Sequence, residues 1–393
     1  MKRETSLYLD LGRVLAALAV FAHNAKKEVF NGGFLAPFGQ FGNEAVIVFF
    51  VISGIVIAHT AESREGDFTR YAVARLARLW SVVVPAIVVT VMLDCLGSSI
   101  APSVYNAFAL PLWRADLSSV WHAAAPILFL NQSWLGSVGP GSNGPFWSIG
   151  YEAPYYCAFG LFVFCRGWRR VVGLALTAAV FGPSVIGLAA FWLLGAGVFR
   201  MLGRGRPTAI AWAGWTSSLF LTVALYGVKY KAIAAASKVI SGTPQASAAF
   251  EYLFPCACVA VLFAINVVCF DRIAGSFTNV SELVGAAIRF LAARTFSLYL
   301  YQAPLLFFFA ACAAHVESRA ARIAIVYLGA VGMVFALAEV TEKRKSTVAA
   351  WLLRALGQNR QRSREGELVF CRGIRRVGGR FSRPATIIRG WGR

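Results

Sequence analysis

The sequence predicts an all-α fold: a polytopic membrane helix bundle of about ten transmembrane helices, followed by a basic C-terminal tail. Three observations predict it. Of 393 residues, 58% are hydrophobic and 14% charged, with a mean hydropathy of +0.63, whereas a soluble globular protein has about a quarter of its residues charged. Apolar runs recur along the chain, among them 46–57, 82–93, 252–270, 290–314 and 323–340; about 20 mostly apolar residues cross a bilayer, and polar ends can snorkel. The formal charge of +20 is uneven, since residues 354–393 hold eleven arginines against two glutamates.

Positive-inside counting orients the spans. Lys2 and Arg3 place the N-terminus in the cytoplasm. The first helix, about 6–24, runs outward and the second, about 43–60, returns. The basic segment ESREGDFTRYAVARLAR leads into a third helix, about 77–96. Residues 97–145, rich in Gly, Pro, Ser and Trp, are expected outside, with an interfacial piece near 120–130. A helix over 146–164 returns to CRGWRR, and 171–199 form a short hairpin interrupted at VFGPSVIG. Four further helices follow, about 208–228, 252–270, 290–312 and 321–341. Ten spans put both termini in the cytoplasm, although Lys26, Lys27, Lys229, Lys231, Arg319 and Arg322 fall on the outer side. The chain thus divides into a transmembrane domain, 1–345, and an Arg-rich cytoplasmic tail, 346–393, expected to be disordered. Beside so many spans the tail reads as a partner of anionic membrane lipid rather than of nucleic acid.

Soluble-enzyme motifs are missing. No Gly-rich nucleotide loop, G-x-S-x-G elbow or H-E-x-x-H occurs. The eight cysteines show no C-x-x-C, and four histidines in all make a multi-histidine metal site improbable. The candidates are instead polar residues embedded in helices, which are functional hypotheses because their burial is costly. Asp10 and Arg13, three apart, can pair on one helix face, and His23 lies about 15 Å further along the axis. The stretch from Arg13 to His23 encloses nine apolar residues, a length that also suits a signal peptide. Arg75 and Arg78 share a face at the start of the third helix, where a simple positive-inside anchor is the alternative. NGPFWSIGYEAPYY, 143–156, sets Glu152 in an otherwise uncharged helix start with Trp147 and Ser148 a turn above. FSLYLYQAPLL, 296–306, carries Tyr299 and Gln302 three apart, a pattern that packing alone would also explain.

Taken together and in order, these pieces resemble the membrane-bound acyltransferase-3 family, which moves acyl groups, often acetyl, onto carbohydrates and other acceptors. YLDLGRVLAALAVFAHN resembles the family's opening helix, and GNEAVIVFFVISGIVI its Gly-hydrophobic-Phe-Phe-hydrophobic-Ser-Gly helix. RYAVARLARLW resembles its Arg-x-x-Arg segment, NGPFWSIGYEAPYY its Trp-Ser-x-x-x-Glu segment, and FSLYLYQAPLL its late aromatic helix. The resemblance runs from about residue 7 to 341. It implies that His23 is a general base on the acceptor hydroxyl, a task suited to a neutral imidazole. It implies that Arg13, Arg75 and Arg78 hold the acyl donor, an acyl-coenzyme A with acetyl-coenzyme A expected, because guanidinium forks match phosphates. Glu152 would orient the imidazole or contact a sugar acceptor, and Trp147 would stack on a pyranose face. Asp10, Ser53, Trp147, Ser148, Tyr299 and Gln302 stand as acceptor contacts or structural support. Ser53 reads first as structural; a serine that carries the acyl group has no adjacent base in sequence. No bound cofactor or metal is implied, the donor being a co-substrate, and the expected location is a bacterial inner membrane.

Two departures stand out. The family usually has ten residues between arginine and histidine; nine turn His23 about 80° from Arg13 on a regular helix, where ten would leave about 20°. Gln302 replaces a histidine of the late helix, and glutamine cannot act as a base. A non-enzymatic glycan transporter or flippase is the alternative from another class, with the arginines as its binding site.

Overall fold

The computed structural model describes residues 1–357 apart from 31–34, 36, 64, 109–112, 114–115, 135, 241–243 and 279, and describes only the backbone of Ser184 and residues 226–240 and 244–250. The greater part of the predicted tail, 358–393, lies outside the described residues. Among the described residues there are helices and no strands. They are α1 (Arg3–Ala25), α2 (Gly42–Ser63), α3 (Phe68–Ile100), α4 (Pro102–Asn106), α5 (Leu117–Ile127), α6 (Ile149–Phe164), α7 (Gly167–Phe181), α8 (Ile186–Met201), α9 (Ala209–Ile240), α10 (Pro244–Ile273), α11 (Glu282–Ala292), α12 (Thr295–Cys312), α13 (Arg319–Thr341) and α14 (Lys345–Ala355).

Six of the helical stretches described are long and apolar enough to cross a membrane: Arg3–Ala25, Phe38–Ser63, Phe68–Ile100, Glu251–Phe277, Thr295–Cys312 and Arg319–Ala355. This is fewer than the ten predicted. The predicted hairpin 171–199 falls on α7 and α8, of 15 and 16 residues, which span only about 22–24 Å against a hydrocarbon core of about 30 Å. α3 starts nine residues earlier than predicted because Asp67 caps it, its carboxylate accepting from the Arg70 N–H at 2.9 Å. An N-cap of this kind satisfies one of the otherwise unpaired amides of a helix's first turn. The predicted helix 290–312 is broken, α11 ending at Ala292 and α12 starting at Thr295. The cause is a charge inside the apolar run. Arg294 stands over the Phe290 ring at 3.5 Å and pairs with Glu339 near the end of α13.

α2 is the centre of one half of the bundle and packs on α1, α8 and α10; α12 is the centre of the other and packs on α3 and α13. The α2–α8 crossing depends on two glycines. A β-carbon at Gly54 would meet the Trp192 carbonyl at 2.1 Å, and one at Gly195 the Val51 carbonyl at 2.0 Å. Small residues that let backbones touch are a usual means of helix association in lipid, where no hydrophobic effect separates helix from solvent.

Contacts at each end define two faces. At one, Lys2, just before α1, donates to the Asp271 carbonyl at the end of α10, and Thr5 of α1 donates to the Asp271 carboxylate, which also accepts from the Gly203 N–H after α8. At the other, Asp94 of α3 accepts from the Ser142 N–H at 2.9 Å, the Ser142 hydroxyl at 2.5 Å and Trp113 Nε1 at 3.0 Å. The Asn143 amide donates to Thr90 and to the Leu300 carbonyl. The long segment after α3 is therefore tied to the bundle and is not a separate domain. The start of the predicted tail is also ordered. Val348, Ala349 and Leu352 of α14 pack on Val73 and Ala77 of α3.

Candidate active site

On the first face, α1, α2, α3, α6 and α12 enclose a cavity of about 740 Å³. Asp10, Arg13, Ser53, Arg75, Arg78, Ser148, Glu152 and Tyr299 all line it. The structure thus joins eight of the sequence-predicted residues, drawn from five helical segments, at one place. Each predicted donor arginine has a carboxylate. Arg13 faces Asp10 at 3.5 Å, one helical turn away as the i,i+3 spacing requires. Arg75 pairs with Glu65 from the segment before α3. Arg78 pairs with Glu342 at 2.5 Å, and the other oxygen of Glu342 accepts from Ser297 at 3.0 Å.

Halfway along the cavity, Ser53 donates to Glu152 at 3.0 Å and lies 3.0 Å from the Tyr156 hydroxyl, which itself bonds Glu152. Trp192 Nε1 donates to Ser53 from the α8 side at 3.2 Å. The Ser53 hydroxyl is therefore held by side chains and not by a backbone carbonyl, and a carboxylate stands beside it that sequence separation concealed. Tyr299 donates to the Pro145 carbonyl at 2.9 Å and so fixes the turn that leads into α6.

His23 sits at the far end of α1. Its Nδ1 lies 2.8 Å from the Gly39 carbonyl. A carbonyl only accepts, so Nδ1 carries the hydrogen and Nε2 keeps its lone pair. The ring rests on Gly42, where a β-carbon would come within 2.1 Å of His23 Cγ. Gly39 is also closely held, its own β-carbon position 2.8 Å from the Ala22 carbonyl. α1 is one unbroken α-helix from Arg3 to Ala25, so the shortened Arg13–His23 spacing is not absorbed by a distortion. The two side chains point in different directions, Arg13 into the cavity and His23 onto the start of α2. Lys27, just beyond α1, stands over Phe108 and Phe307 at 4.7 and 5.5 Å, and burial lowers its pKa from the ordinary 10.5.

His23 does not line the cavity, but the cavity leads toward it. Along α2 its lining runs from Thr60 to Val46, about 21 Å at 1.5 Å per residue. Val46 is one turn, about 6 Å, from Gly42. The cavity is a shaft that opens on the face where α1 begins and ends a turn short of the histidine.

Three further predicted residues are placed as follows. Glu152 bonds Ser53 and Tyr156, not His23. Trp147 meets Tyr151 edge-on at 5.6 Å and does not line the shaft. Gln302 is fully buried, with its amide donating to the Tyr299 carbonyl of its own helix at 3.3 Å. Glu65, Tyr156, Trp192, Arg289, Glu342 and Lys345 were not foreseen. Only Tyr156 had a sequence signal, four residues from Glu152 on one helix face. Glu44, buried on the first turn of α2, also lies in electrostatic range of His23. No group of three metal-ligating side chains occurs among the described residues.

The family model described as an acyltransferase domain matches residues 6–339. The chain belongs to the acyltransferase-3 family. The matched residues include Asp10, Arg13, His23, Ser53, Arg75, Arg78, Glu152 and Tyr299, and stop short of Glu342 and Lys345 at the mouth. Among curated proteins, acyltransferase MdmB of Streptomyces mycarofaciens is 32% identical over 168 residues, which is 41% of this chain and 38% of the relative. The match thus spans well under half of the relative's own length. No solved structure matches.

Proposed function

We propose that this acyltransferase-3 protein is an integral-membrane O-acyltransferase. It would move an acyl group, acetyl foremost, from an acyl-coenzyme A to a hydroxyl of a glycan, exopolysaccharide or lipid-linked sugar. The observation that carries this reading is the shaft, with arginines at its mouth and a histidine of defined tautomer one turn beyond its end. A positive-inside arrangement with both termini in the cytoplasm of a bacterial inner membrane puts the mouth on the side where coenzyme A is found.

In this reading the donor's phosphates lie among Arg13, Arg75 and Arg78. The pantetheine arm extends up the shaft. Its roughly thirteen backbone-like bonds from phosphorus to sulfur reach about 15 Å at 3.3–3.6 Å per three bonds, which fits within the shaft. Ser53, Glu152 and Tyr156 provide hydrogen-bonding groups where the arm's amides cross a largely apolar wall. His23 Nε2 takes the proton of the acceptor hydroxyl as its oxygen attacks the thioester carbonyl. The tetrahedral intermediate collapses, the C–S bond breaks, and the thiolate leaves to be protonated by the imidazolium. The Gly39 carbonyl keeps the imidazole in the required tautomer throughout.

The test is purified protein in detergent or nanodiscs, supplied with acetyl-coenzyme A and candidate glycans, followed by thiol release and mass of the acceptor. Thiol release that depends on acceptor and on His23 supports the reading. An intact thioester with translocated glycan supports a flippase instead.

A further inference from the structure

The three arginines at the mouth are already engaged with Asp10, Glu65 and Glu342. A phosphate that claims one of them must share it with, or displace, a carboxylate that would be left uncompensated in a partly buried site. Two more cations line the same cavity: Arg289 in the last turn of α11, and Lys345, the first residue of α14. Neither has an ion pair or hydrogen bond among the described residues, and both are exposed at the rim. Arg289 feels Asp10 only at a distance, while Lys345 lies in electrostatic range of Arg78 and Arg75 and of their carboxylates Glu342 and Glu65, without contacting any of them. The cavity's cations therefore exceed its carboxylates by one, and the cations without a partner are both at the rim.

Resting on the donor reading above, the geometry points to a phosphomonoester site at the rim of the shaft, formed by Arg289 and Lys345. Its ligand is the 3′-phosphate on the ribose of the donor. The order of groups in the donor requires an outermost site of this kind. The thioester lies deepest, then the arm, then the diphosphate at the paired arginines, and the ribose phosphate last. A phosphomonoester carries about −1.5 to −2 charge near neutrality, which two unpaired cations match. The site also gives α14 a role. Leu352 and Val348 hold this helix on α3, the helix that carries Arg75 and Arg78, so the start of the predicted tail would anchor Lys345 at the donor site.

The test compares binding of coenzyme A and of 3′-dephospho-coenzyme A to the full-length protein in nanodiscs by calorimetry. Wild type is expected to prefer coenzyme A by about tenfold to a hundredfold, as one or two charged hydrogen bonds allow. Lys345→Ala and Arg289→Ala should each erase much of that preference while leaving affinity for the dephospho form unchanged. Lys345→Arg should retain it, and so should Arg344→Ala, which removes an exposed neighbour that does not line the cavity. Wild-type binding without a preference overturns the rim site, as do alanine variants that keep the full preference or lose both ligands equally. If wild type binds neither ligand, the donor reading itself fails, and the rim site with it.

Discussion

A methyl group placed on Gly42 would test whether His23 must stand where it does. Gly42 has an ordinary helical backbone, φ −60°, so alanine fits it without strain and even gains about 1 kcal/mol of helix propensity. The whole effect must therefore come from the side chain. The new β-carbon would fall 2.1 Å from His23 Cγ and 2.4 Å from its Cβ and Nδ1, so the ring has to move. The move breaks the 2.8 Å bond from Nδ1 to the Gly39 carbonyl, worth about 1 kcal/mol, and adds about 1–3 kcal/mol of overpacking. After the helix gain, Gly42→Ala should lose about 1–3 kcal/mol of stability. Its rate should fall by about 10²–10⁴, the usual worth of a positioned general base, with donor affinity unchanged. The assay is thiol release alongside coenzyme A binding and thermal unfolding in one detergent. Gly329→Ala is the control, since its β-carbon would press the Phe309 ring at 2.7 Å, remote from the shaft; it should lose stability but not rate. A folded Gly42→Ala protein with wild-type turnover would refute the assignment of His23.

Four further outcomes follow from other contacts. Gly195→Ala should force α2 and α8 apart, because its β-carbon would meet backbone, the Val51 carbonyl at 2.0 Å; a loss of about 1–3 kcal/mol or more in thermal unfolding is expected. Asp94→Ala removes the acceptor for Ser142 and Trp113, so limited proteolysis between residues 101 and 141 should accelerate while coenzyme A binding persists. Ser53→Ala removes one hydroxyl between Glu152, Tyr156 and Trp192 and should raise the donor KM several-fold; total loss of turnover would favour a serine that carries the acyl group. Burial lowers the pKa of Lys27 below 10.5, so its penalty on folding is full below the folded value and is relieved as pH rises toward 10.5. The stability advantage of Lys27→Met over wild type should accordingly narrow across that window in pH-dependent unfolding.

Much of the bundle was legible because period and composition act locally. α1, α2, α10 and α13 contain their predicted apolar runs, and the Asp10–Arg13 pair follows from helical spacing alone. The break before α12 was not legible, because it depends on Arg294 finding Glu339 some forty-five residues away. The same limit hid half of the candidate site. Arg75 and Arg78 are visible as a pair on one face, but Glu65 reaches Arg75 from the segment before α3 and Glu342 reaches Arg78 from 264 residues on, and only the fold joins them. Ser53 shows the cost most clearly: without a neighbouring base in sequence it read as structural, yet it donates to Glu152 ninety-nine residues on. Charge and the end of an apolar run mark the domain boundary at Lys345, whereas the packing of Val348, Ala349 and Leu352 of α14 on α3 carries the bundle past that point.

The central claim is that one shaft joins a donor-binding mouth to a proton-accepting histidine at its other end. It is tested most directly by measuring coenzyme A affinity and acyl transfer on the same preparation of His23→Ala. The expected result is an unchanged Kd with transfer reduced by about 10²–10⁴, since the mouth lies about 15 Å from the substituted residue. Wild-type transfer by the folded His23→Ala protein would contradict the claim.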